Sequence, residues 1–342
     1  MILVMSFGKF LRRWLVSSFA LYIFLFFVGA LVVIQRNFYK RERTVFPQLD
    51  PEVFRKVKNS VFEGFNNVTG AANGSYIVPN YVHFLFFGNP RIIYTHAVCV
   101  LAAFKNQKPD RIFFHTNIKQ FTGPHWKKIK DILGDVLHIV YVTLPTEIFG
   151  QKLSVPFHMW HAGDVTRIRI LMEYGGIFLD NDSYIVKSLD PFRRYEMTVG
   201  VTDGNKMGTM VLIGHKDARF LKLWLESYRD DYNPDNWYYN AGEKPMRSII
   251  EVKPELVHKV ETLLGVHGLT DRLYTWDKWD TWRKYYSIHL VIRHRDYLDH
   301  FWNYFKWRTI DETNVCDYPK PFGVLAREIY SDFCPKISDL NS

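Results

Sequence analysis

The sequence predicts an α/β domain with a mostly parallel sheet, preceded by one membrane-spanning segment. Beyond residue 75, short hydrophobic runs alternate with stretches of helical periodicity, and Gly, Pro or Asp residues separate them. Strands that alternate with helices are typical of parallel sheets. The 342 residues are 47% hydrophobic, which is enough for a large core, and one uncharged run near the N-terminus has the length of a bilayer crossing.

The positive charge of the chain is concentrated near its N-terminus. The formal net charge is +9, but residues 1–60 hold ten Lys and Arg against three acidic residues, so the remainder carries a net charge of only +2. A nearly neutral body lacks the basic surface with which proteins bind a phosphate backbone. No nucleic-acid partner is therefore expected.

The uncharged run extends over residues 15–34, LVSSFALYIFLFFVGALVVI, and predicts a transmembrane helix. A cleaved signal peptide is the alternative, but Gln35, Arg36 and Asn37 follow the run in place of a small-residue cleavage site. Basic residues flank the run on both sides, so they do not set its orientation. We expect a cytosolic tail at 1–14, the anchor at 15–34, a stem at 35–75 and a lumenal domain at 76–342.

Glycosylation tripeptides and cysteines bear on the same question of orientation. The tripeptides that begin at Asn67 and Asn73 are N-glycosylation acceptors in a Gly- and Asn-rich stretch, and use of either would make the body lumenal. A third, at Asn181, lies in a hydrophobic context and is expected to stay unmodified. Cys316 and Cys334 either close a short C-terminal loop or stay unpaired.

The first part of the body divides into five elements. A hydrophobic run that ends at Gly88-Asn89-Pro90 is typical of a buried first strand. The predicted elements, in order, are this strand within residues 76–87, a helix over 92–104, a strand over 111–115, a helix over 126–133 and a strand over 137–142.

A helix, a glycine stop and a strand are predicted between residues 161 and 182. Apolar residues recur at helical spacing over 165–172, and Gly175-Gly176 ends the helix where a left-handed residue is needed. Asp164 and Arg167 are three residues apart on this helix. They therefore lie on one face and can present a carboxylate and a guanidinium to the same ligand.

The strand over residues 177–179 ends in two carboxylates, Asp180 and Asp182, which strand alternation places on one side. Their mutual repulsion requires a cation, and carboxylate oxygens favour Mg²⁺ or Mn²⁺. This edge of an open α/β sheet is also where nucleotides bind, so an ion there can bridge a diphosphate. The alternatives are a solvated turn and a phosphatase of the haloacid dehalogenase type, whose motif has Thr or Val where Tyr184 stands.

The segment resembles the DXD-containing sugar transferases of glycosyltransferase family 32. The likeness lies in the Asp164 and Arg167 pair, in Gly-Gly-Ile-Phe-Leu-Asp-Asn-Asp at 175–182, in Leu-Asp-Pro at 189–191 and in the opening strand at 78–83. The resemblance implies a Rossmann-like GT-A fold, a nucleotide-sugar donor and retention of anomeric configuration. It also implies that Asp182 binds the metal ion and that Asp180 supports the donor.

The resemblance extends to residues outside the motif. His289 matches a family histidine and is a candidate metal or diphosphate contact, or else a packed core residue. The Trp that follows it in the family is absent, and Arg293 or Arg295 is available for phosphate instead. Asn240 and Glu243 lie in an aromatic-rich loop that either lines the donor site or only packs. The predicted donor contacts are Asp164, Arg167, Val82, His83, Asn240 and Glu243, and the predicted metal ligands are Asp182, Asp180 and His289.

These expectations describe a metal-dependent retaining glycosyltransferase with Mn²⁺ or Mg²⁺ as cofactor, catalytic residues Asp180 and Asp182, and a type II Golgi location. The donor that the resemblance implies is a UDP-sugar, and the acceptor is a glycan, glycolipid or glycoprotein. No side-chain nucleophile is evident, so the expected route is front-face attack assisted by the leaving phosphate. The alternatives are an inactive, membrane-anchored binding protein of the same fold and the phosphatase.

Overall fold

The computed structural model describes residues 54–55, 60–202, 205–265, 268 and 270–334. The predicted tail and membrane span lie outside the described residues, as does most of the predicted stem. Within the described ranges, no helix combines the length and the apolar character that a bilayer crossing requires.

Strands and helices alternate through the first half of the body, as predicted. The strands are β1 Tyr81–Phe86, β2 Arg111–Thr116, β3 Leu137–Tyr141, β4 Glu147–Ile148, β5 Gln151–Lys152, β6 Gly176–Leu179, β7 Ser183–Ile185, β8 Met197–Thr202, β9 Lys206–Gly214, β10 His258–Glu261 and β11 Ser287–His289. The helices are α1 Tyr94–Gln107, α2 Pro124–Leu133, α3 His158–Tyr174, α4 Arg219–Glu226, α5 Thr270–Thr275, α6 Arg295–Leu298, α7 Phe301–Lys306 and α8 Pro321–Ile329.

A seven-stranded sheet, in the order β10-β8-β9-β6-β1-β2-β3, forms the centre of the described residues. Every adjacent pair is parallel except the two that involve β9, which runs antiparallel to both β6 and β8. The predicted α/β class and mostly parallel sheet are therefore confirmed. Strand β6, which leads into the two carboxylates, lies in the middle of the sheet between β1 and β9.

The first strand is shorter than predicted. It begins at Tyr81, because the backbone N–H groups of Ile77 and Val78 donate to the carbonyl of Arg193 instead of to a neighbouring strand. Pro79 then interrupts the run, since it has no N–H to donate. The hydrophobic pattern extends over residues 76–80, but the backbone there does not pair with a strand, so the pattern overestimates the length of β1.

Both faces of the sheet are buried, so β6 lies between two layers of helices. Ile177 and Leu179 pack into the core that contains α1, whereas Phe178 packs into the core that contains Ile168 of α3 and Trp224 of α4. This is the period-two alternation of a strand with helices on either side. The carboxylates that follow β6 thus stand at the end of a fully buried strand.

The glycine stop after α3 is confirmed. Gly175 has φ 64° and Gly176 has φ 110°, values in the left-handed region that favours glycine. A Cβ on Gly176 would also lie 2.6 Å from the carbonyl oxygen of Tyr81. The second glycine therefore both turns the chain and lets β6 approach β1.

The segment before Tyr76 contacts the body. Asn67 is 1% exposed, and its amide nitrogen donates to Glu196 Oε2 at 3.1 Å and to the carbonyl of Glu255 at 2.9 Å. Glu196 is in turn paired with Arg219 at 2.8 Å. Because this amide is buried and occupied, the expectation that Asn67 is a glycosylation acceptor is wrong. Asn73, by contrast, is exposed.

The cysteine question that the sequence left open is resolved by the structure. Cys316 and Cys334 form a disulfide, with their Cα atoms 5.5 Å apart. Cys99 is a buried free thiol in α1.

Candidate functional site

The chain turns sharply after β6, and the two carboxylates have different hydrogen-bonding surroundings in this turn. The N–H of Asp180 donates to the carbonyl of Met210 at 2.9 Å, and the N–H of Ser183 donates to the carbonyl of Asp180 at 2.8 Å. Between the two acids, Asn181 Nδ2 donates to the carbonyl of Leu85 at 2.8 Å. The strand ends at Leu179, so strand alternation does not decide where the two acids point.

Asp180 belongs to a cluster with Arg167 and Asp164. Arg167 lies 3.2 Å (Nη2) from Asp164 Oδ1 and 3.1 Å (Nη1) from Asp180 Oδ1, and Nη1 also donates to the carbonyl of Thr209 at 2.6 Å. Asp164 and Arg167 are only 5% and 9% exposed. The structure thus brings the helix pair together as predicted and adds the first acid of the motif to it. We call these three residues the arginine cluster.

Charges in the arginine cluster are tightly coupled. Burial raises the pKa of Asp164 to about 7, and the negative charge of Asp180 adds to the rise while Arg167 opposes it. Burial would lower the pKa of Arg167, but Asp180 and Asp164 raise it above its ordinary value. The cluster therefore holds a permanent guanidinium with one carboxylate that changes its protonation state near neutral pH.

Asp182 is paired with His289 instead. His289 Nε2 lies 2.9 Å from Asp182 Oδ1. The contact depends on an antiparallel pair of short strands, β7 and β11, which sets His289 opposite Ser183, and on a hydrogen bond from the N–H of Leu290 to the carbonyl of Asp182 at 2.9 Å. We call Asp182 and His289 the histidine pair.

The histidine pair stabilises the charged forms of both its members. Burial alone would raise the pKa of Asp182, but His289, Arg293 and His96 together lower it to about 2. Burial would lower the pKa of His289, but Asp182 raises it above its ordinary value. Asp182 is consequently a carboxylate at any physiological pH.

The histidine pair offers a carboxylate oxygen and an imidazole nitrogen, which are both ligand types for Mn²⁺ in proteins. Their 2.9 Å separation is that of a hydrogen bond, so a cation would have to replace the proton between them. Asp180 is already engaged by Arg167. In the part of the chain that the structure describes, no three His, Cys, Asp or Glu residues group as a metal site. An ion here would take its other ligands from diphosphate or water.

Several buried polar atoms near the two clusters have no hydrogen-bond partner among the described residues. They are Asn181 Oδ1, Arg167 Nε, Tyr228 Oη and His96 Nδ1. Asp164 and Arg167 affect the pKa of Tyr228, and Asp182 affects that of His96, so both rings lie close to the clusters. Unsatisfied buried polar groups are costly and favour a bound polar ligand. Sequence patterns did not single out His96 or Tyr228, because neither belongs to a motif.

The predicted donor contacts Val82 and His83 lie in the interior. Both are 0% exposed in β1. His83 is hydrogen-bonded through Nδ1 to His115 at 3.0 Å and through Nε2 to the carbonyl of Gly175 at 2.8 Å. Burial, helped by His115, lowers the pKa of His83 to about 3, so the ring is neutral. Neither side chain has exposed surface with which to touch a donor.

The predicted loop residues are also placed by the structure. Asn240 is 1% exposed, and its side chain bonds the N–H of Asn233 at 2.8 Å and the carbonyl of Asn233 at 2.6 Å, so it closes its own loop. Glu243 is partly exposed on the same helical turn. Of the two candidate phosphate contacts, Arg295 is buried in an ion pair, whereas Arg293 is exposed and affects the pKa of Asp182.

Comparisons with known proteins single out the same part of the chain. Residues 99–198 match the family model described as "Glycosyltransferase sugar-binding region containing DXD motif". Glucan organizing enzyme 1 of Cryptococcus neoformans var. grubii is 26% identical over 221 residues, which are 59% of this chain and 55% of that protein. Lactosylceramide 4-alpha-galactosyltransferase of Mus musculus is 24% identical over 133 residues, 39% of this chain and 36% of that protein. The chain thus spans about half or less of the length of these relatives.

Solved glycosyltransferase structures resemble the chain more distantly. Glycosyltransferase GlyE of Streptococcus pneumoniae is 9% identical, covers 73% of this chain and 63% of its own, and has a TM-score of 0.40. Galactosyltransferase LgtC, solved with donor and acceptor sugar analogues, is 14% identical and has a TM-score of 0.35. The match covers 62% of this chain and 87% of LgtC. The segment that carries α3, the glycine stop and the two carboxylates is thus similar to the sugar-binding region of DXD glycosyltransferases.

Proposed function

We propose that the protein is a metal-dependent glycosyltransferase of the GT-A type that moves a sugar from a nucleotide sugar to an acceptor hydroxyl. One observation carries this proposal. Inside the segment that matches the DXD family model, a turn at the end of the central strand directs one carboxylate to an arginine and the other to a histidine. A site of this kind can bind the two halves of a nucleotide sugar separately.

The diphosphate half is assigned to the histidine pair. Asp182 and His289 would hold Mn²⁺ or Mg²⁺, which when bound supplies positive charge against the departing diphosphate. Arg293 is exposed beside Asp182 and is available to bind a phosphate oxygen. His96, whose buried Nδ1 has no hydrogen-bond partner among the described residues, is close enough to Asp182 for that carboxylate to affect its pKa.

The sugar half is assigned to the arginine cluster. Arg167 holds Asp164 and Asp180 in place, so their free oxygens can accept hydrogen bonds from sugar and ribose hydroxyls. Because both acids are held by Arg167, we assign them to orientation and not to nucleophilic attack. The acceptor hydroxyl would then attack the anomeric carbon from the face that the diphosphate leaves, with retention, and its proton would pass to the leaving phosphate.

The cellular setting belongs to the same proposal. A type II protein with its anchor at 15–34 would place the body in the Golgi lumen. The disulfide between Cys316 and Cys334 and the exposed acceptor Asn73 support an oxidising, glycosylating compartment. We propose a UDP-sugar as donor, carrying a hexose or N-acetylhexosamine, and a glycan, glycolipid or glycoprotein as acceptor.

A panel of nucleotide sugars tests the proposal. Purified protein with Mn²⁺ should slowly hydrolyse at least one donor, and Asp182→Ala should lower that rate at least about 100-fold. Asp131→Ala on α2 is the matched control, because Asp131 is exposed. Asp182→Asn keeps the size of the side chain, and thermal unfolding of both variants separates loss of activity from loss of fold.

Three results would contradict it. Donor binding without turnover by the wild-type protein would indicate an inactive binding protein. Release of phosphate from a generic phosphoester, with a phosphorylated Asp180, would indicate a phosphatase. Hydrolysis that continues unchanged after the metal is chelated would show that the reaction does not depend on a divalent cation.

A further inference from the structure

Two short helices near the C-terminus expose an unusual number of large aromatic side chains. Tyr297 of α6 is 68% exposed, and Phe301, Trp302 and Phe305 of α7 are 70%, 78% and 72% exposed. Phe301 contacts both Trp302 and Phe305, with ring centroids 5.2 Å and 6.3 Å apart. We call these four residues the aromatic platform. Phe301, Trp302 and Phe305 thus form a continuous exposed aromatic cluster, with Tyr297 exposed on the preceding helix, and exposed apolar patches on a protein surface are typical of interaction sites.

The platform has a rigid polar base. Arg295 is 2% exposed, pairs with Asp299 at 2.7 Å and donates to the carbonyl of Trp307 at 2.8 Å. Asn303 Nδ2 donates to Asp299 Oδ1 at 2.8 Å and to the carbonyl of Tyr274 at 3.1 Å. These polar contacts fix one side of the two helices to the body. The polar side chains of the two helices therefore contact the body, while the aromatic side chains are exposed.

Basic side chains flank the platform in the sequence. Arg293, Lys306 and Arg308 are all exposed, against one exposed acid in the same stretch, Asp296. Aromatic rings that insert at a bilayer interface, with basic residues around them, are the pattern of a protein surface that binds anionic lipid. A protein partner with an apolar face would not require the flanking basic residues.

Hydrogen bonds connect the platform's helix α7 to the candidate site. Asn303 Nδ2 donates to the carbonyl of Tyr274, Tyr274 Oη donates to the carbonyl of Leu290, and the N–H of Leu290 donates to the carbonyl of Asp182. The predicted span at 15–34 would keep the body close to a bilayer. We propose that the aromatic platform docks on an anionic lipid surface and so holds the site against it. The corollary, which rests on the function proposed above, is that the acceptor is a lipid-linked sugar.

Fluorescence quenching in proteoliposomes tests the docking without any assay of activity. The full chain is labelled through Trp302→Cys with an environment-sensitive dye, since Cys99 is buried and the other two cysteines are bonded. The matched control is Tyr141→Cys, because Tyr141 is 66% exposed on the edge strand β3. Lipids with a shallow nitroxide should quench the dye at 302 and not the dye at 141, and iodide in solution should quench in the opposite order.

Other occupants of the platform give other results, and each would overturn the proposal. If a second copy covers the platform, energy transfer between dyes at 302 will rise with the protein-to-lipid ratio, without nitroxide quenching. If another segment of the same chain covers it, the dye at 302 will be protected from both quenchers. Equal quenching of both dyes by nitroxide lipid would show that the platform has no preference for the bilayer.

The charge requirement has its own test. Lys306→Gln with Arg308→Gln should lower the docked-to-undocked ratio by about fivefold for each charge in anionic vesicles, and should change little in zwitterionic ones. Arg247→Gln, at an exposed helical position elsewhere, is the control. An equal effect in both lipids would contradict an anionic surface. If neither the wild-type protein nor any variant turns over a nucleotide sugar, the proposed function and the lipid-linked acceptor both fail. Quenching of the dye at 302 still shows whether the aromatic platform docks on the bilayer.

Discussion

The arginine cluster and the histidine pair hold the two carboxylates of one turn by different means. Asp180 is bound by Arg167 and, through it, by Asp164, so its partners come from α3, the helix that precedes β6. Asp182 is bound by His289, 107 residues further along the chain. The first contact is supplied by local sequence, and the second exists only after the C-terminal part has paired with β7. Damage to the cluster should therefore affect folding first, and damage to the pair should affect the metal first.

The largest effect is expected from Arg167→Met. Loss of the guanidinium leaves the buried Asp164 and the partly exposed Asp180 without a counter-charge, and removal of one partner of a buried pair costs about 3–5 kcal/mol of unfolding free energy. Urea unfolding measures this loss of unfolding free energy. The control is Arg247→Met, whose exposed pair with Glu251 should contribute less than about 1 kcal/mol. Similar losses of unfolding free energy in both variants would show that the arginine cluster stabilises the fold no more than an exposed ion pair does.

A smaller effect, on a different property, is expected from His289→Ala. The variant should weaken Mn²⁺ binding by at least about tenfold and leave the unfolding free energy closer to that of the wild-type protein than Arg167→Met does. Calorimetric titration with Mn²⁺ measures the affinity. His138→Ala is the control, because His138 lies in β3, an edge strand of the seven-stranded sheet, and not in the two-stranded sheet that contains His289. Unchanged affinity in His289→Ala would exclude this histidine as a ligand.

An effect that grows with pH is expected from Asp164→Asn. The folded protein keeps the proton on Asp164 up to about pH 7, whereas an unfolded aspartate releases it near pH 4. The unfolded state thus binds fewer protons in this window, so the group makes the folded state less stable as pH rises from about 4 to 7, with no further change above. The wild-type protein should lose stability relative to Asp164→Asn across this window. A pH-independent difference between the two would contradict the raised pKa.

Local features of the site could be predicted because local sequence specifies them. The contact between Asp164 and Arg167 follows from a spacing of three on a helix, and the helix ends at Gly175 because only a left-handed residue fits there. The placement of Asp180 and Asp182, by contrast, does not follow from strand alternation. Alternation holds only while a strand continues, and the chain leaves β6 at Leu179.

Other errors came from burial, which a pattern of residues does not reveal. His83 looked like a ligand contact, but the core closes over it and uses both ring nitrogens. Asn67 looked like an exposed acceptor, but Glu196 and the carbonyl of Glu255 bind its amide. In both cases the partners are distant in sequence, so no local signal distinguished a buried polar residue from an exposed one.

The sequence by itself determined the α/β class, the order of the first elements, the glycine stop and the pairing of Asp164 with Arg167. Each of these follows from periodicity or turn chemistry within a few residues. Only the tertiary structure decided that Asp182 meets His289, that Cys316 bonds Cys334, and that Trp302 and its neighbours stay outside the core. These depend on which distant segments pack together, and packing is settled by the burial of the whole chain, which no short stretch of sequence contains.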